Sequence, residues 1–109
     1  MALAVTSSLA PEWFTPPSQA DEAEPAGFLL APLSAAGFLN ANAAVSADRY
    51  GDAAMLVCQE VIKGWRNVTV DGEAEFKPRL IASLPPVIVS ELATEIIGRA
   101  TLSETERKN

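Results

Sequence analysis

The sequence has no histidine, a single cysteine, and no lysine or arginine before Arg49. Each absence excludes something. Without histidine, the commonest general base and the commonest metal ligand are both missing. Cys58 alone cannot close an intramolecular disulfide, which fits a reducing compartment. Aromatic residues make up only 6% of the chain, so a core must rest on Leu, Ile and Val from the second half. No basic run offers a phosphate-binding footprint, so nucleic-acid binding is disfavoured. No apolar run approaches the roughly 18 residues that a membrane span needs. The stretch from Met1 to Phe14 lacks the basic start and sustained apolar run of a signal peptide. These readings point to a soluble, cytoplasmic, non-membrane protein with no cofactor and no metal.

What is present is acidic and small. The 109 residues carry 14 acidic and 8 basic side chains, a net charge of −6. Glu12, Asp21, Glu22, Glu24 and Asp48 fall in residues 1–48 with no basic residue among them. Such acidity keeps a protein soluble, or it faces a basic partner. A domain of this length is marginal in stability when alone. A partner or a homo-oligomer is therefore expected.

The pattern along the chain predicts a mainly α fold, a small helical domain with a short β-hairpin or turn and a flexible N-terminal arm. Residues 1–26 read as the arm, because Pro11, Pro16, Pro17 and Pro25 interrupt them and Ser18 to Glu24 is polar and acidic. Within it, Trp13 and Phe14 either anchor a partner or fold back on the core. Residues 27–109 read as the domain. Gly27 to Leu33 is a short extended segment, with Pro32 at an edge or strand end. Residues 34–47 give a mixed signal, a weak helix or an irregular segment. Ser46 reads as an N-cap for a helix over residues 47–63, with Gly64 as its stop. Tyr50, Ala53, Ala54, Val57, Cys58, Val61 and Ile62 form its apolar stripe. Met55 and Leu56 lie off that stripe and are candidate partner-binding residues.

Trp65 follows, packing over the helix or serving as an interface anchor. Asp71-Gly72 signals a hairpin. A three-residue loop pairs Val70 with Ala74 and Val68 with Phe76, keeping all four on one face. Pro78 opens a short helix over residues 78–83 and Pro85-Pro86 ends it. A second long helix spans residues 86–100, and its stripe is expected to pack against the first. Ser103 to Glu106 has the spacing of a capping box for another helix. No Gly-rich phosphate loop, metal-ligand spacing or nucleophile with a histidine base can be assembled. The pairs Glu73/Glu75 and Glu91/Glu95 read as solvated faces. The chain is therefore read as a binding protein and not an enzyme.

Taken in order, the pieces resemble the tail assembly chaperones of siphophages. They are Phe28-Leu29-Leu30-Ala31-Pro32-Leu33, then Gly64-Trp65-Arg66-Asn67-Val68, Asp71-Gly72, Phe76, the Leu84-Pro85 break, the closing helix and the end from Leu102 to Asn109. The resemblance covers residues 28–109. It implies a protein of the host cytoplasm that binds the tape-measure protein, recruits tail-tube subunits and is absent from the finished virion. It also implies a second, longer product made by translational frameshifting. Two other readings stand beside it. One is a small acidic phage inhibitor or decoy of a host nucleic-acid-binding protein, the other a structural tail or head-tail connector.

Overall fold

The computed structural model describes residues 11–108, with side chains over residues 11–100. In chain order the elements are strand β1 (Glu12–Phe14), a 3-10 turn (Pro17–Gln19), strand β2 (Gly27–Leu30), helix α1 (Ala35–Ser46), helix α2 (Tyr50–Val61), strand β3 (Ile62–Arg66), a 3-10 turn (Pro78–Ser83) and helix α3 (Pro86–Lys108). Helices thus share the fold with a three-stranded antiparallel sheet in the order β1-β2-β3. A description as mainly α leaves this sheet out.

The sheet corrects the expected arm. Residues 11–26 are not a free tail in this structure, because Glu12, Trp13 and Phe14 pair with Leu30, Leu29 and Phe28. Residues 1–10, the rest of that arm, lie outside the described residues. The proline-rich composition misled because the prolines flank the strand and do not interrupt it. Pro16 is in fact buried.

Across the sheet, Phe14 faces Phe28 and Phe28 faces Trp65. This row turns inward, and Phe28 meets Trp65 edge to face with ring centroids 6.1 Å apart. The register shifts between Leu29 and Leu30, so Lys63 has no partner on β2. That bulge sends Lys63 to solvent while Ile62 and Trp65 on either side of it both enter the core.

The helical hairpin also departs from expectation. The 34–47 segment holds a regular helix, Ala35–Ser46, with the Ser34 hydroxyl accepting from the Gly37 N–H as an N-cap. Ser46 is the last residue of α1, not the cap of α2. Asp48 takes a left-handed conformation at φ 60°, with its N–H bonded to Val45 O and the Arg49 N–H to Ala44 O. That is a Schellman stop with aspartate in the place usually held by glycine, which hid the break. Gly64 does not end α2 either. The helix stops at Val61 because the chain passes straight into β3, and the Val61 carbonyl accepts from Ala31 N–H beyond β2.

Asp71 and Gly72 have φ 50° and 83°, the geometry of a two-residue type I′ turn. A single bridge therefore joins Val70 to Glu73, and the three-residue register is not adopted. Helix α3 runs without a break through Ser103 to Glu106, so no new helix begins there. Helix α2 packs on both α1 and α3. Val57, Cys58 and Val61 meet a core that includes Ile81, Ile88, Leu92 and Ile96.

Candidate protein-binding surface

The five residues singled out from the sequence divide into three environments. Trp65 is a core residue, only 8% exposed. Its ring stacks edge to face on Phe76 at 4.9 Å, and its indole N–H donates to the Ala74 carbonyl at 3.3 Å. A buried indole with its donor satisfied is packed as a core side chain is. The interface-anchor alternative for Trp65 is not what this fold provides.

Trp13 and Phe14, adjacent on β1, point to opposite faces of the sheet. Phe14 packs on the core, with the Arg99 guanidinium 5.8 Å from its ring centre. Trp13 is 45% exposed on the outer face, where the Arg66 guanidinium lies 4.5 Å over its ring. Gly27, opposite Arg66 on β2, makes this reach available: a Cβ there would come within 2.8 Å of Arg66 Nε. The strand is held further by Arg99, which lies 3.9 Å from the Glu12 carboxylate and 2.5 Å from that of Glu95.

Met55 and Leu56 sit on the solvent-facing side of α2. Met55 is partly buried against the core and Leu56 is 44% exposed. With Arg49, Asp52 and Gln59 they line a shallow depression of about 260 Å³. Asp52, Met55, Leu56 and Gln59 follow the i, i+3, i+4, i+7 spacing that gathers side chains on one helix face. Its lining is part apolar and part polar, with Arg49 paired to Asp52 at 3.5 Å. Phe14 instead belongs to a second depression of about 230 Å³, lined with Pro17, Ser90, Glu91, Thr94 and Glu95. The two pairs of candidates therefore do not share a site.

Other apolar side chains are exposed, foremost Leu39, Tyr50 and Val87. Tyr50 corrects the expected stripe of α2, because as the first residue of that helix it projects beyond the core and is 63% exposed. The signal for Leu39 was an absence of charge: no Asp, Glu, Lys or Arg occurs between Glu24 and Asp48.

Electrostatics are mild. The Glu73 carboxyl is held below its ordinary range, first by its hydrogen bond and charge contact with Lys77 and then by Arg79. Burial pushes the Cys58 thiol up to about 12, which leaves it an inert small hydrophobe. Among the described residues, no group of acidic or cysteine side chains is placed to hold a metal ion, and no buried side-chain polar atom lacks a hydrogen bond. No helix among them is long and apolar enough to cross a membrane. No family model, curated protein or solved structure matches this chain.

Proposed function

We propose that the protein is a non-enzymatic phage tail assembly chaperone that binds the tape-measure protein and recruits tail-tube subunits. The observation that supports this reading is the stripe on α2, where Leu56 faces solvent beside half-buried Met55, between Asp52 and Gln59. An amphipathic client helix would lay its apolar side along such a stripe, as in other helix recognition. The sequence resemblance over residues 28–109 supplies the identity of the client. The chain's acidity keeps the unliganded protein soluble while that stripe is exposed.

The stripe carries one cation and one anion, already paired to each other, so it offers little net field to a charged ligand. Apolar burial, at about 25 cal/mol per Å², then supplies most of the affinity, and salt does not screen it. Titration of the purified protein with helical fragments of a tape-measure protein at low and high salt tests the proposal. Binding is expected at both, and Leu56→Glu should abolish it. Binding that vanishes at high salt, or that survives Leu56→Glu unchanged, would overturn the reading and favour an acidic decoy or another surface.

A further inference from the structure

Most basic side chains of this acidic chain are already neutralised. Arg49, Lys77, Arg79 and Arg99 each pair with a carboxylate. Among the described side chains, Lys63 and Arg66 pair with none. Both belong to β3 and both are exposed. Even Asp21, Glu22 and Glu24 form no ion pair with them, although the neighbouring Pro25 carbonyl accepts from the Asn67 amide at 3.0 Å. Arg66 turns instead across Gly27 and lays its guanidinium over the Trp13 ring. A guanidinium held on an aromatic face keeps its planar fork of N–H donors fixed in direction, suited to two parallel bonds to one carboxylate.

Beside that fork lies a small apolar floor. Trp13, Leu29 and Gly64 form one cross-strand row. Strand alternation turns this row to the face opposite Phe14, Phe28 and Trp65. Gly64 keeps the floor open, because a Cβ there would meet only Leu29, at 3.9 Å. Lys63 is the next residue along β3, turned to solvent by the bulge.

We propose that this outer face of the sheet binds a peptide segment of a partner protein that carries one carboxylate beside an apolar side chain. The carboxylate accepts from the Arg66 fork, with the Lys63 ammonium close by, and the apolar neighbour covers Leu29 above Gly64. Charge complementarity selects the carboxylate, since the two cations without partners flank this one floor. The net charge of −6 selects a single carboxylate over a polyanion. Nucleic acid gains its affinity from many neutralised phosphates, and two cations on an acidic chain supply few.

NMR titration of the isotope-labelled full chain with a short blocked peptide, one glutamate flanked by leucines, tests this. Shifts are expected at the Trp13 indole and the Gly64 amide, and not at the Trp65 indole, which is bonded to Ala74 on the inner side. Affinity should fall as salt rises, unlike client binding on α2. Replacing the peptide's glutamate with glutamine should weaken binding about tenfold or more, and that comparison leaves the protein unaltered. Arg66→Lys keeps the charge but loses the fork, and should weaken binding as well. Equal binding of the two peptides, full affinity in Arg66→Lys, or shifts confined to α2 around Leu56 would each overturn the proposal. So would tighter binding of a single-stranded oligonucleotide at the same resonances, which favours nucleic acid. Resonances that move with protein concentration alone would overturn it in favour of a second copy.

Discussion

Ser18 donates both its backbone N–H, at 2.9 Å, and its hydroxyl to the carboxylate of Glu91, 73 positions along the chain. Ser34 does the same with Glu60, through its N–H at 2.9 Å and its hydroxyl at 3.0 Å. In each case one helix carboxylate takes both donors of a serine, Ser18 within the Pro17–Gln19 turn and Ser34 at the cap of α1. Glu91 fixes the segment after β1 onto α3, and Glu60 fixes the start of α1 onto α2.

Glu91→Ala is expected to loosen residues 12–19 specifically. Hydrogen exchange should speed up across β1 and the following turn while the α2–α3 core stays protected. The loss of global stability should be about 1 kcal/mol, since both hydrogen bonds are charge-assisted but solvent-exposed. Uniform exchange across the whole chain would show that β1 unfolds only with the core.

Gly37 sits where a Cβ would come too close to Glu60 Oε1 and within 2.8 Å of Leu33 Cδ1. Alanine there should displace Glu60 and lose its bonds to Ser34, against a gain in helix propensity of about 0.5–1 kcal/mol. The two effects separate in a double-mutant cycle. Gly37→Ala should be neutral or destabilising in the parent and stabilising once Glu60 is already alanine. Equal effects in both backgrounds would rule out the coupling.

Val61 and Ile96, 1% and 2% exposed, sit in the core on α2 and α3. Replacing either with Asp buries an unpaired carboxylate, which costs several kcal/mol, a large part of the stability of a domain this size. Thermal melts should show both variants unfolded or close to it. Leu39→Asp, on the solvent side of α1, should melt near the parent.

The Cys58 thiol gives a pH dependence of known sign. Its pKa rises from an ordinary 9.0 to about 12 on folding. The neutral thiol is therefore favoured in the folded state. The stability this contributes is complete below the unfolded value and is lost as pH rises from there towards the folded one. Stability of the parent should fall more steeply between pH 9 and 12 than that of Cys58→Ala, measured by denaturant titration. Identical slopes would mean that the thiol is not buried.

The sequence alone determined the parts governed by local periodicity. The stripe from Ala53 to Val61 and the one from Ile88 to Ile96 fix two helices, and their packing follows because neither stripe can remain in water. The 3-10 turn after Pro78 and the type of residue at the Asp71-Gly72 turn were legible for the same reason. The tertiary structure decided everything that depends on residues distant in the chain. Trp13 and Phe14 became a strand because β2 offers an unpaired edge and Arg66 and Arg99 approach from far along the sequence. Trp65 became core because Phe28 and Phe76 enclose it, a fact no spacing around residue 65 contains. Helix α1 formed despite its weak propensity because Glu60 caps it through Ser34 and α2 covers one side. Its other side, uncharged and uncovered, is visible in the sequence only as a missing charge, and a missing charge becomes a surface only when the fold turns it outward.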